Sequence, residues 1–178
     1  KDSLTKNLGT EFTYFEKDGG KYISTFIRHQ LLTFSFPDGK LQQKVKFEVE
    51  GPDGIGSFIS GNHREDSLMH FLSANKWVTA TVEGRVISRI SLPEASTDRM
   101  GPNYSTFPYN PIRKIGTSYL ISDLPFVLKE DLLNYQKWMI KFDPRDSSAE
   151  YLEFSYPKKY MDFLDDSMFG PFSHGYNQ

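Results

Sequence analysis

Cysteine is missing from all 178 residues. That excludes a disulfide framework, a thiolate nucleophile and any zinc site built on thiolates, and it removes the usual marker of redox compartment. Long apolar runs are lacking too, so no segment reads as a membrane-spanning helix, and no secretory leader is visible. A chain that opens on Lys1 rather than Met is expected to have been processed or cut from a longer one, with room for a leader or anchor upstream. An excess of one charge is equally absent. Twenty-one Lys and Arg against 23 Asp and Glu give a formal net charge of -2 and a pI near 6.1. A general nucleic-acid or anionic-membrane binder would carry a basic excess, so neither partner is expected. Catalytic patterns are scarce. No serine sits in a nucleophile elbow, and neither Gly19-Gly20 nor Gly54-Ile55-Gly56 has the strand and helix around it that a phosphate loop needs.

What the chain does have is rings and turns. Phe, Trp and Tyr make up 15% of it, with 15 Phe and 10 Tyr, enough to build a Phe-rich core or a surface that a partner covers. Val45, Phe47 and Val49 alternate with Lys44, Lys46, Glu48 and Glu50, the period of a strand with one dry face. Gly51-Pro52-Asp53-Gly54 then reverses the chain, and a second strand is expected from Ile55 or Gly56 through Phe58 and Ile59. This hairpin over residues 41–62 is the element around which the rest is expected to assemble. Upstream, Phe12, Tyr14 and Glu16 alternate up to the Asp18-Gly19-Gly20 turn. Residues 22–36 then read as one or two strands, with a helical turn at 27–32 as the alternative, before the turn at Pro37-Asp38-Gly39-Lys40. Together these predict an antiparallel meander.

Residues 63–73 change period. Leu68, Phe71 and Leu72 are spaced for a short helix with Asn62 as N-cap and Glu65 at its third position. From Lys76 to Leu92 strand alternation returns, broken by a turn at Glu83-Gly84-Arg85. The expectation is an α+β fold, a mainly antiparallel twisted sheet backed by one or two helices, with a core domain at 1–92. An extension at 93–178 follows, opening on a Pro-rich loop that holds the glycosylation triplet Asn103-Tyr104-Ser105, to which no role is assigned. It is expected to contain a strand at 119–124, a helix at 128–141 with Leu128, Leu132, Tyr135 and Met139 on one stripe, a strand at 151–156, and an aromatic tail that binds a partner.

The order of an alternating strand, a Gly-containing turn, a second strand, a linker and a Trp-bearing strand resembles the intermembrane-space domain of two mitochondrial families. They are the twenty-one-kilodalton inner-membrane presequence translocase subunit and cytochrome oxidase assembly factor one. The matching residues are Val45, Phe47, Val49, Gly51, Gly54, Gly56, Arg64, Trp77, Val82 and Gly84, with Leu8-Gly9 upstream, and the likeness spans residues 7–92. It implies a non-catalytic, membrane-anchored subunit of the mitochondrial inner membrane. Such a subunit would face the intermembrane space and bind other protein subunits in respiratory-chain assembly or presequence protein transport. A basic surface at Lys40, Lys44 and Lys46 would meet an acidic partner. Tyr160, Phe163, Phe169 and Phe172 of the tail are the other expected partner-binding residues.

No catalytic residue, metal or cofactor is expected. His63, Asp66 and His70 fall at helical i, i+3 and i+7, too far apart for one metal and better read as a solvated face; His29 and His174 are isolated, and Asp162, Asp165 and Asp166 read as a solvated cluster. The competing reading is a secreted or periplasmic β-barrel carrier whose rings line a cavity for a small apolar ligand. An open sheet backed by helices would favour the first reading, and a closed barrel the second.

Overall fold

The computed structural model describes residues 11–93, 104, 106, 111–123 and 136–153. Among these residues the chain is all β, with twelve strands and no helix. The strands form three separate four-stranded antiparallel sheets. The first holds β1 (Thr13–Lys17), β2 (Gly20–Ile27), β3 (Gln30–Ser35) and β4 (Leu41–Lys46). The second holds β5 (Ile59–Glu65), β6 (Leu68–Ser73), β7 (Lys76–Thr81) and β8 (Val86–Ser91). The third holds β9 (Arg113–Ile115), β10 (Ser118–Ser122), β11 (Met139–Asp143) and β12 (Ser148–Tyr151). In each sheet every strand pairs with its neighbours in sequence, the meander from which radially repeated β architectures are built.

Turn chemistry explains the connections. Asp18 and Gly19 both take positive φ, 52° and 76°, in a two-residue link between β1 and β2, the backbone that matches the twist of a tight hairpin. Arg28 and His29 do the same between β2 and β3, at 50° and 59°, which replaces the helical turn considered for 27–32. For residues that carry a Cβ this left-handed region costs of order 1 kcal/mol apiece.

The second sheet lies between the other two. Side chains alternate across it, so Met69, Phe71, Val78 and Ala80 pack against Leu31 and Phe26 of the first sheet and against Phe47 and Ile55 of the intervening chain. Leu72 and Trp77 pack the other way, on Tyr119, Ile121, Ile140 and Phe142 of the third sheet, with Leu92, Tyr104 and Ile112 in the same cluster. Phe47, Phe71, Trp77 and Phe142 are fully buried.

Three expectations are corrected here. The α+β assignment fails: residues 63–73 are the hairpin of β5 and β6, with Asn62 and Glu65 inside β5, and 139–141 of the expected second helix belong to β11; residues 128–135 lie outside the described residues. The hairpin over 41–62 does not pair as two strands of one sheet. The chain does turn at Gly51-Pro52-Asp53-Gly54, where Ile55 N–H donates to the Glu48 carbonyl (2.8 Å), but β4 ends at Lys46 and β5 belongs to the next sheet. Phe47, just past β4, still bonds through its N–H to the His29 carbonyl (2.8 Å) and joins Val45 in the core between the sheets, and the loop is fixed to β8 by Arg89, whose Nη2 donates to the carbonyls of Pro52 (2.6 Å) and Gly54 (2.8 Å). Among the described residues the closed barrel of the competing reading is not seen either, because they form three open four-stranded sheets.

Candidate functional site

The face of β5 turned to the first sheet carries Asn62 and Arg64, paired across the strand with Phe71 and Met69. Opposite them, alternation along β1 and β2 presents Thr13, Phe15, Ser24 and Phe26. Between these strands are two hollows, of about 240 and about 440 Å³, that share Glu11, Phe26 and Asn62 as walls. The smaller one reaches Thr13, Ser24 and Arg64. The larger one is rimmed by the Arg28-His29 turn and by Phe58, a ring left 67% exposed.

The charges in this cleft are poorly matched. Arg64 lays its guanidinium carbon 3.5 Å from the centre of the Phe15 ring, a favourable cation–π stack. Its Nε donates to the Asp66 carbonyl at 3.3 Å. Its Nη1 is buried with no hydrogen-bond partner, and no carboxylate stands within ion-pair distance among the described residues. Burial lowers its pKa, against the pull of Asp66 and Glu83; an arginine nevertheless stays charged. Glu11 is the cleft's carboxylate. It receives only a long 3.4 Å hydrogen bond from Asn62 Nδ2, and burial raises its pKa above the ordinary carboxylate value.

The opposite face of β5 carries a second polar cluster, turned to the third sheet. His70 Nδ1 stands 3.1 Å from Thr79 Oγ1, and Nε2 stands 3.2 Å from the Tyr119 hydroxyl. Tyr119 donates to Glu65 Oε2 at 2.5 Å, and Lys114 closes the row with an ion pair to Glu65 Oε1. Since the phenol proton goes to Glu65, His70 must donate from Nε2 and accept from Thr79 at Nδ1. Its ring also stacks on Trp77, 5.0 Å between centres. Burial, then the neighbouring His63, lowers the His70 pKa to about 4, outweighing Glu65 at 3.9 Å. Burial, then the bond to Glu65, raises that of Tyr119. For Glu65 burial pushes upward, but the bonds from Lys114 and Tyr119 together hold the carboxyl below its usual value. Every member is committed to a neighbour, and the phenol and imidazole are both neutral.

The expected site residues scatter. Lys40, Lys44 and Lys46 are exposed at edge strand β4. By their pairing with Leu32 and Gln30, Lys44 and Lys46 share the face turned away from the second sheet, and Lys46 has Glu48 at 3.7 Å. Tyr160, Phe163, Phe169 and Phe172 lie outside the described residues, as do His174 and the Asp162, Asp165 and Asp166 cluster. His63 and His70 do share a face, as cross-strand partners in β5 and β6 rather than on a helix, while Asp66 sits in the turn between them at positive φ. Glu11 and Arg64 were not singled out as ligand-binding. Their only signal was alternation: Glu11 continues the phase of Thr13 and Phe15, and Arg64 that of Asn62.

Stacked four-stranded sheets with a polar cleft between the first two define an all-β protein with a candidate ligand site between its layers. The chain belongs to the DUF4221 family, described as a domain of unknown function, which it matches over residues 1–177. In structure it is similar to a crystallised DUF4221 member from Bacteroides vulgatus, with a TM-score of 0.67 and 14% identity over 88% of this chain. The chain spans 46% of that protein's length. No curated protein matches it in sequence. These matches overturn the resemblance to the mitochondrial translocase subunit and assembly factor. The family is one with a bacterial member, and the inner-membrane, intermembrane-space, respiratory-chain and protein-transport readings fall with that likeness. The residues that suggested it, glycines at turns, alternating valines and a buried Trp, are demands common to small antiparallel sheets.

Proposed function

We propose that this chain is a non-catalytic binding module that takes a small ligand into the cleft between its first and second sheets. The observation that carries this reading is the two neighbouring hollows that share Glu11, Phe26 and Asn62 as walls, with Arg64, one of whose terminal nitrogens has no partner, lining the smaller. A site that combines a few convergent polar groups with ring walls is what small-molecule recognition requires. The most catalysis-like group of side chains, around His70, faces the third sheet, away from this cleft, with its imidazole and phenol already bonded to neighbours, which supports binding over turnover here. The carrier considered from sequence survives in altered form: the cleft is an open interlayer space rather than a barrel interior, and its polar walls suit an amphipathic ligand better than an apolar one. A secreted or periplasmic setting is part of the proposal, carried over from the competing sequence reading; the source of the solved relative bears only on a bacterial origin. Nucleic acid has no part in it, given a net charge of -2.

A fragment screen followed by backbone amide shifts tests the reading. Hits are expected to move the amides of Asn62, Arg64 and Phe26, and Thr13→Trp, which fills the smaller hollow from an exposed position, is expected to abolish those shifts. Hits that move only amides elsewhere would refute it.

A further inference from the structure

We infer that Arg64 is the anchor for an oxyanion, a carboxylate or phosphate, on the ligand of this cleft, while the Phe26 wall takes the ligand's apolar body. The inference rests on the cleft being the ligand site and adds the chemistry of what enters it. Three observations lead to it. First, the guanidinium is held in place without being neutralised: Phe15 supports one face and the Asp66 carbonyl takes Nε. A carboxylate or phosphate is the partner whose geometry matches the remaining fork of donors.

Second, Nη1 is buried and unbonded, one of three such side-chain atoms among the described residues. A buried charged donor without a partner destabilises the ligand-free protein; Arg64 lines the smaller hollow, and a small swing of the guanidinium toward an oxyanion seated there would relieve that cost. A structural arginine is satisfied within the protein, as Arg145 is by Asp143 at 2.8 Å and Arg89 Nη2 is by the Pro52 and Gly54 carbonyls; Nη1 of Arg64 is not. Third, the other groups within reach set the rest of the ligand. Asn62 lies two residues from Arg64 on the same face, roughly 7 Å along the strand, and lines both hollows with Phe26. Glu11, beside Asn62, disfavours a second negative charge there, so the preferred ligand carries one oxyanion at the Arg64 end and a neutral or donor-bearing ring toward Phe26.

Phenylacetate, phenyl phosphate and the neutral phenylacetamide, titrated at matched ionic strength, test this with cleft amide shifts as the readout. At least one of the two acids is expected to saturate with an affinity ten or more times that of the amide, and which acid does so distinguishes carboxylate from phosphate. Arg64→Met should erase the preference, Arg64→Lys should keep part of it, and Glu11→Gln should tighten both acids. The stack on Phe15 is lost equally for acid and amide in Arg64→Met, so a merely structural arginine would leave their ratio unchanged. Equal binding of acids and amide to the unmodified protein would overturn the anion anchor while leaving the cleft as a binding site. No cleft shift with any of the three, alongside cleft-directed hits from the fragment screen, would also overturn the anchor. No cleft shift in either experiment would overturn both readings.

Discussion

Acid should weaken this fold well before most carboxylates protonate, and His70 is the reason. Its ring packs against both Trp77 and Tyr119 with both nitrogens bonded, and its pKa is lowered from 6.5 to about 4 in the folded chain. In the unfolded chain the imidazole returns to its ordinary value. Between the two pKa values the unfolded state therefore binds a proton that the folded state refuses, so stability rises with pH across that window. The contribution is fully present above 6.5 and is lost as pH falls toward 4. At 1.36 kcal/mol per pH unit, the difference between 6.5 and about 4 amounts to roughly 3 kcal/mol, a large share of the 5–15 kcal/mol typical of a domain.

Neighbouring groups act with the same sign. Burial lowers the His63 pKa, and the Glu65 carboxyl is held below its usual value by Lys114 and Tyr119, so protonation of either also favours unfolding. Lys114 repels an added proton on His70, whereas Glu65 attracts it. Urea unfolding followed by far-ultraviolet circular dichroism at pH 7, 6, 5 and 4 measures the effect. His70→Gln, which cannot titrate, should lose about 3 kcal/mol less than the unmodified chain between pH 7 and pH 4. Parallel pH dependences for the two proteins would refute the reasoning, because the lost stability would then come from groups other than this imidazole.

The core offers a sharper perturbation without pH. Phe71→Ala removes a fully buried ring that meets Phe26 at 4.8 Å and Phe47 at 5.2 Å between centres, and should cost about 3–5 kcal/mol in chemical denaturation. Arg89→Met deletes both bonds to the Pro52 and Gly54 carbonyls. It should cost about 1–3 kcal/mol and speed hydrogen exchange at Ile55 and Val86, whose amides are protected by this loop. Gly56→Ala places a methyl 2.0 Å from Ser73 Oγ at a φ of +96° and should destabilise by more than 1 kcal/mol; Ser73→Gly should recover part of that loss. Lys44→Glu with Lys46→Glu changes only exposed edge positions, and thermal unfolding should stay within about 0.5 kcal/mol of the parent per substitution.

Much of the strand order was legible because turns announce themselves locally. Asp18-Gly19 and Glu83-Gly84 end strands where the sequence places the turns, and Trp77, Val78, Thr79 and Ala80 keep a β-rich period. The misreading of 63–73 has a physical cause. In β6 the residues Leu68, His70 and Leu72 face one neighbouring sheet while Met69 and Phe71 face the other, and from Met69 to Ser73 every residue is buried. A strand covered on both sides shows no wet face, so the contrast on which period-two reading depends vanishes, and Leu68, Phe71 and Leu72 then fit a helix equally well. At 41–50 the local alternation is sound: Val45, opposite Leu31 in β4, and Phe47 just beyond it enter the same core between the first and second sheets. What no local pattern reveals is that the chain after the turn joins the next sheet instead of pairing back on β4.

The cleft was hidden for a different reason, which also explains why it suits a ligand. Glu11 and Arg64 are separated by about fifty positions, one just before the first sheet and the other within the second, so no local spacing relates them. They meet only because two sheets of one meander type stack with their polar strand ends adjacent, Glu11 before β1 and Asn62 and Arg64 within β5. Packing alone would have placed apolar side chains there, as it does further along the same interface at Leu31, Phe47 and Phe71. The sheets instead close tightly at one end and part around Glu11 and Arg64, which do not pair, at the other, so the closed end supplies the rigidity against which the guanidinium can be held.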